Sequence, residues 1–316
     1  MSTTAPVTAP PAPPRSAPPL GAALGLLAVT AVWGSTFFML KETVQRLPVA
    51  DFLGVRFVVA TAAVTLFAPR ALARLTPSER RWGLGLGVVY GLAQLLQTEG
   101  LRTTSASVSG FLTGMYVVLT PLLAALLLRA RIGRTTWLAV ALATVGLGVL
   151  SLRGFAVGGG EALTVASAVL YALHLIGLGR VSTARSALGL TIVQLWAVAA
   201  VCLLGALPGG VALPSTGYDL AVLLYTALLA GAAALAVQTW AQSHLPAERA
   251  AVIMTMEPVW AGAFAVLLGG EALGARVVVG GALVLAAMYV VELGPRQRAV
   301  HDAAEEVGAT ARVGQV

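Results

Sequence analysis

Apolar residues in this chain come in long unbroken runs rather than in strand-like alternation or a one-sided helical stripe. Spanning a bilayer takes about 20 mostly apolar residues in helical form. With charges, prolines and glycine clusters as punctuation, ten such runs can be cut: 20–40, 50–68, 83–101, 104–128, 136–152, 161–179, 187–207, 218–241, 247–269 and 274–293. A helix that is apolar all round is either deeply buried or meets lipid. Several connections are only a few residues long, so consecutive helices are expected as antiparallel neighbours. The first run is too long for a signal-peptide core, and no small-residue cleavage site follows it. It is therefore read as an uncleaved first membrane helix. Residues 1–19, rich in Pro, Thr and Ala, are expected to form a disordered tail. Residues 294–316 are expected to form a charged one.

Composition strengthens this reading. Of the 316 residues, 58% are hydrophobic and only 10% charged, with mean hydropathy +0.88. Water-soluble domains carry about a quarter charged residues, so lipid must cover most of this surface. The net charge of +7 could suit nucleic acid, but the arginines lie scattered between apolar runs. With the N-terminus placed in the cytoplasm, fourteen Lys and Arg fall inside and five outside, and Arg56 lies within a span. The positive-inside rule then puts both termini in the cytoplasm of a bacterial-type inner membrane. An even number of spans agrees. Trp82 and Trp137 stand at predicted cytoplasmic helix starts, which suits interfacial tryptophans. One cysteine, Cys202, and three scattered histidines form neither a disulfide framework nor a metal cluster. No cofactor, metal or nucleic acid is expected.

The two halves of the chain echo each other. Gln97-Thr98 in the third run returns as Gln238-Thr239 in the eighth, and Pro121 in the fourth as Pro258 in the ninth. The step from Pro121 to Gly133-Arg134 equals that from Pro258 to Gly270-Glu271. The Gln-to-Pro spacing is 24 residues in the first half and 20 in the second, a difference of about one helical turn. The expected fold is thus an all-α membrane protein with ten transmembrane helices in two repeats, 20–152 and 153–293. Five spans per repeat is an odd number, so the second copy must enter the membrane inverted. Inverted repeats are a mark of transporters, whose substrate site lies near the midplane between the halves. This arrangement sets Gln97-Thr98 near the outer face and Gln238-Thr239 near the inner one.

These pieces resemble the EamA-type, ten-helix branch of the drug/metabolite transporter superfamily. The resemblance rests on Trp33-Gly34-Ser35-Thr36-Phe37, Arg56-Phe57, Thr104-Ser105-Ala106-Ser107, Pro121, Glu257-Pro258-Val259 and Gly270-Glu271, in that order, over residues 20–293. Two positions depart from the family pattern: Arg134, where a Glu is usual, and Tyr171, where Trp is frequent. The resemblance implies export or exchange of metabolites such as amino acids, or of drugs.

Charges inside a bilayer are costly, about 2.5–3.5 kcal/mol each on insertion scales, so embedded ones are candidate sites by default. Glu257 lies ten residues into the ninth run, about 15 Å along the helix and near the midplane. Pro258 should kink that helix and free carbonyls beside the carboxylate. A carboxylate there suits proton or cation coupling, and the plainer reading is a structural, hydrogen-bonded Glu. Pro121 is the matching helix break. Arg56 lies six residues into the second run. It could clamp a substrate carboxylate, or pair with carbonyls of a neighbouring helix or with Glu99 at similar depth. Tyr90, Gln94 and Gln97 form one polar stripe at helical spacing. A stripe of this kind must face the bundle. It either lines a substrate cavity or makes interhelical hydrogen bonds worth about 0.6 kcal/mol each. Trp33 and Ser35 could line the path, or let the first helix pack closely through Gly34. Tyr116, His174, Gln194, Trp196, Gln238 and Trp260 also lie within spans, and His174 could titrate near neutral pH. Glu99 and Glu271 near span ends are read as structural.

The leading function is a secondary active transporter working by alternating access between small-molecule substrate pools, with protons as the coupling ion. A homodimer is left open. ATP drive is excluded within this chain: its single lysine, Lys41, sits in no phosphate-binding glycine loop. The alternatives are a membrane-embedded enzyme acting on lipids, or a channel or receptor. The enzyme would need His, Asp or Cys clustered at one interface; the chain carries no such cluster, and no charge ring for a channel.

Overall fold

The computed structural model describes residues 20–128, 133–153, 156–183, 185–244 and 253–293. The expected tails, the loop arginines Arg129 and Arg131, Arg249, and the first residues of the ninth run lie outside the described residues. In chain order the helices are α1 (Leu20–Arg46), α2 (Val49–Phe67), α3 (Pro77–Thr103), α4 (Ala106–Gly114), α5 (Tyr116–Leu128) and α6 (Arg134–Ser151). Then come α7 (Gly159–Val181), α8 (Ala187–Ala206), α9 (Gly217–Leu224), α10 (Ala234–His244), α11 (Glu257–Leu267) and α12 (Ala275–Leu293). A π-helical stretch, Tyr225–Ala233, joins α9 to α10 without a break. The only strands among the described residues are Leu152–Arg153 and Ala156–Val157, a two-residue antiparallel pair where the two halves meet.

Local chemistry sets the helix ends. Pro48 precedes α2 and cannot continue α1. Six residues, four of them polar, extend α3 back to Pro77, ahead of the expected start at 83, because Thr76 and Glu79 form a capping box. Thr76 Oγ1 accepts from Glu79 N–H at 3.2 Å, and Glu79 Oε2 accepts from Thr76 N–H at 2.7 Å. That backbone N–H holds the Glu79 carboxyl below its ordinary pKa.

The expected breaks fall differently. Pro121 lies inside α5, and the interruption falls at Met115, six residues earlier. At Pro258 the interruption is next to the proline: residues 253 and 254 are helical, Thr255 and Met256 form a turn, and Glu257-Pro258 open α11. Proline removes a donor to the preceding turn and crowds it, so strain collects on its N-terminal side. In the first turn of a helix the missing N–H costs nothing.

Among the described residues, five stretches are long and apolar enough to cross a membrane by length and composition, including Leu20–Arg46 and Ala187–Ala206. Large apolar side chains face outward, Leu66 at 80% and Phe67 at 90% exposure. This surface belongs in lipid. One interior cluster gathers Phe52, Leu53, Ile192 and Val198 between α2 and α8. A second gathers Leu112, Val118, Val284 and Met288 where α12 meets α4 and α5.

Helix contacts fall into matched sets. α3 packs on α7, and α1 packs on α10. α3 also packs on α8, as α2 does on the π-helical stretch. α1 meets α11, while α4 and α5 meet α7; α2 with α8, α4 with α11 and α6 with α12 complete the bundle. Missing side chains permit the closest approaches: a methyl on Gly100 of α3 would stand 2.6 Å from the Gly160 carbonyl of α7.

The helix ends gather at two levels. At one, Arg46 at the end of α1 bonds Asp219 at the start of α9, Nη2 to Oδ1 at 2.7 Å and Nε to Oδ2 at 3.1 Å. There too Lys41 Nζ donates to the carbonyls of Leu101, Arg102 and Thr104, and Arg276 donates to those of Val149 and Leu150. At the level where α1 begins, Glu79 lies 3.7 Å from Arg185.

Candidate functional site

The polar stripe of α3 faces the bundle. Tyr90 and Gln97 are half-buried and Gln94 is buried. Gln94 Nε2 donates to the Tyr90 hydroxyl at 3.0 Å, within the stripe. Gln97 reaches out of it: Nε2 donates to Thr113 Oγ1 at 2.9 Å, and Oε1 accepts from the Tyr171 hydroxyl at 2.8 Å. Thr113 stands two residues before the Met115 interruption. The stripe is thereby tied to both a broken helix and α7.

Aromatic rings fill out this region. The Tyr90 ring lies 5.6 Å from Tyr171, 5.0 Å from the His174 ring and 6.5 Å from Phe57; Tyr116 lies 6.4 Å from Tyr171. His174 Nε2 shares a hydrogen bond with Gln194 Oε1, whose amide also donates to the Leu190 carbonyl. His174 is thus a satisfied bundle residue on the rim of the aromatic group.

Arg56 of α2 enters the same region. It is 8% exposed, and Nε donates to the Thr226 carbonyl at 3.3 Å in the π-helical stretch. Its guanidinium also lies 5.0 Å from the Phe57 ring centroid. The expected pairing with Glu99 is not made: Glu99 bonds Arg102 one turn away at 3.0 Å, on the exposed face of α3. The carbonyl alternative is what the fold adopts. No carboxylate pairs with Arg56 among the described residues.

Glu257 is the first residue of α11, half-buried, with no hydrogen-bond or ion-pair partner among the described residues. Tyr90 and Tyr171 lie within electrostatic reach of both Glu257 and Arg56. A glycine brings α1 against this end of α11: a methyl on Gly34 would stand 2.6 Å from Trp260 Cβ and 2.9 Å from the Glu257 carbonyl. Gly110 of α4 closes the other side, 2.5 Å for a methyl from Ala261 Cβ.

The remaining candidates divide. Trp33 Nε1 donates to the Ala230 carbonyl at 2.8 Å, and Ser35 Oγ meets Tyr225 Oη at 2.7 Å, so both bind the π-helical stretch. Trp260 stacks on Phe264, and its buried indole N–H meets no acceptor among the described residues. Gln238 Nε2 reaches only Met254 Sδ, at 3.8 Å. Trp196 is 47% exposed on α8 and lies outside the site. The sequence marks Tyr171 only as a departure from the family pattern and gives no sign of Thr113, Tyr225 or Thr226 as site residues. Tyr171 and His174 stand three apart on one face of α7, a readable stripe. Nothing in the sequence signals the π-helical stretch, whose widened turn presents Thr226 to Arg56.

The arrangement holds one cation and one carboxyl, unpaired with each other, beside aromatic rings and amides at the junction of two interrupted segments. It can bind and orient a small polar or aromatic molecule. No group of three His, Cys, Asp or Glu side chains able to hold a metal occurs among the described residues.

The sequence profile of the EamA-like transporter family matches twice, over residues 20–152 and 158–293. An uncharacterized transporter from Archaeoglobus fulgidus is 30% identical over 280 residues, covering 87% of this chain and 86% of that protein. A solved crystal structure, 17% identical, covers 88% of this chain and 98% of its own with a TM-score of 0.59, a likeness of fold.

Proposed function

From its membership of the EamA-like transporter family, which two profile matches over most of its length establish, we propose that this membrane protein is a secondary active transporter. It exports or exchanges small organic metabolites, amino acids or drug-like compounds, by alternating access. The observation that carries this reading is Glu257, without a partner among the described residues at the start of α11, and within electrostatic reach of the same tyrosines as Arg56. An enzyme would need a nucleophile or acid–base pair in mutual reach, whereas this region offers recognition groups and a single carboxyl.

Two inverted five-helix repeats underlie the cycle. In support, the helix contacts come in matched sets and each half holds an interrupted segment, α4–α5 and the one ending in α11. Arg56, Tyr90, Gln94, Gln97, Tyr116 and His174 line the substrate path with Trp33, Ser35, Gln238 and Trp260. Glu257 carries the coupling proton. The arginine distribution supports placing both termini in the cytoplasm and the Arg46–Asp219 level outside, in the inner membrane.

Counterflow in proteoliposomes tests the carrier. Vesicles preloaded with a compound found by thermal-shift screening should accumulate trace label of the same compound transiently. Uptake without exchange would make the protein a channel, and no uptake at all would return it to the enzyme or receptor class.

A further inference from the structure

Gly270 and Glu271 end α11 in a way that reaches across the molecule. Gly270 has φ 68°, a left-handed conformation that suits glycine. The chain turns there, and Glu271 N–H bonds back to the Ala265 carbonyl at 2.9 Å. The turn aims the carboxylate at the start of α4. Oε1 accepts from Ala106 N–H at 2.6 Å; Oε2 accepts from Ser107 N–H at 3.2 Å and from Ser107 Oγ at 2.6 Å. A carboxylate at a helix N-terminus is favoured by both hydrogen bonding and the helix dipole. Lys41 grips the other side of the same bend, through the carbonyls of Leu101, Arg102 and Thr104.

The two elements that Glu271 joins are both short and both interrupted near the candidate site. α4 is nine residues long and ends at the Met115 interruption, two residues beyond the Thr113 that binds Gln97. α11 is eleven residues long and starts at Glu257, after the Thr255–Met256 turn. They touch closely near those interruptions, through Gly110 with Ala261 and Gly114 with Pro258. Glu271 fastens their opposite tips. Releasing three hydrogen bonds would let the tips part while the inner contacts act as a hinge. The repeat places Arg134 where the other copy would hold this carboxylate. A guanidinium has no acceptor to offer helix N–H groups, so the mating end has no equivalent fastening from that position.

The geometry points to Glu271 as a gate latch: its carboxylate, clasped to Ala106 and Ser107, holds the Arg46–Asp219 end of the substrate path closed, and must let go in each cycle. This rests on the alternating-access reading above.

Site-directed labelling tests it. In a Cys202→Ala background, which removes the only native thiol, Tyr116→Cys places a reporter in the site. A membrane-impermeant maleimide is added to sealed vesicles on the Arg46–Asp219 side. Glu271→Ala should raise the labelling rate about tenfold, the factor that roughly 1.4 kcal/mol corresponds to. Ser107→Ala, which removes one bond of three, should raise it about threefold, near 0.65 kcal/mol by the same constant. Glu99→Ala, at the same end but outside the clasp, should leave it unchanged. A folded Glu271→Ala protein labelled at the parental rate overturns the latch. If that variant does not fold, Ser107→Ala decides, and a parental rate there overturns it equally. Labelling reads closure without needing transport. Failure of counterflow with the expected labelling pattern would therefore sink the carrier and its cycle, and leave the clasp as the gate of a channel.

Discussion

The two interrupted segments, 106–128 and 253–267, start from the same plan and end in different chemistry. Each contains a proline thirteen residues before the corresponding Arg134 or Glu271. By that register Thr120 occupies in the first the place of Glu257 in the second. Thr120 Oγ1 bonds back to the Tyr116 carbonyl at 2.7 Å, so its polarity is consumed within its own helix. There the helix runs through Pro121, and the interruption moves up to Met115. Glu257 stands at the interruption itself and bonds to nothing described. A duplicated backbone thus provides two breaks, and one of them alone keeps unspent chemistry. The difference favours Glu257 over Thr120 as the proposed coupling group, a choice the repeat alone does not make because it treats both sites alike.

The comparison is sharpened most by replacing the two polar residues. Glu257→Gln keeps size and removes titration. It should abolish pH-driven net transport while the protein stays folded and binds substrate, whereas Thr120→Val should change transport little. Wild-type pH dependence in folded Glu257→Gln would return that carboxyl to a structural part. The next largest effect is expected at Arg56, which faces the second repeat through Thr226. Arg56→Ala should weaken binding of a carboxylate-bearing substrate about ten- to a hundredfold, from the loss of one charge-assisted hydrogen bond. Its stability loss should add to that of Glu99→Ala, since the two side chains share no partner. A recovery in the double variant would contradict the separate bonds seen here.

A third test attacks the contacts around the second interruption. Gly34→Ala and Gly110→Ala each place a methyl within 2.6 Å of α11. Overpacking of this kind costs about 1–3 kcal/mol, so both variants should melt lower than wild type, and a Thr120→Val control should not. An unchanged melting temperature for Gly34→Ala would mean that α1 and α11 yield easily. The smallest effect is expected far from both interruptions, at the capping box of α3. Since the folded carboxyl of Glu79 titrates below its ordinary value near 4.5, its contribution is complete above that pH and fades as pH falls through the lower folded value. Glu79→Ala should cost about 0.5–1 kcal/mol at neutral pH, the low end for a lost helix cap. The deficit should vanish in acid. A pH-independent deficit would assign the loss to packing.

Much of the architecture was legible in the chain because lipid imposes a simple rule: every spanning backbone must be helical and apolar. Runs of the required length, the Gln-Thr and proline echoes, and the arginines between runs follow from composition and spacing alone. Most run boundaries lie within two or three residues of helix ends, as at α2 and α8. The misses have local causes: α3 starts early because a capping box stabilises a polar first turn, and α1 continues six residues past Leu40 into charged sequence. The stripe of Tyr90, Gln94 and Gln97 was visible because helical periodicity is a property of one segment.

What only the tertiary structure decided is who meets whom. Arg56 and Glu99 look alike in depth along the sequence, yet they point to different neighbours, since depth says nothing of rotation about the helix axis. The interruptions fall before their prolines, at Met115 and at Thr255–Met256, and only the folded chain shows how far before. The π-helical stretch, which receives Trp33, Ser35 and Arg56, has no signature of its own. Glu271 read as an ordinary residue near a span end, and its reach to Ala106 and Ser107, 165 and 164 positions away, exists only once the two halves are packed together. Sequence fixes which groups can bond at low cost within a turn or two; packing chooses among partners that sequence separation leaves equally remote.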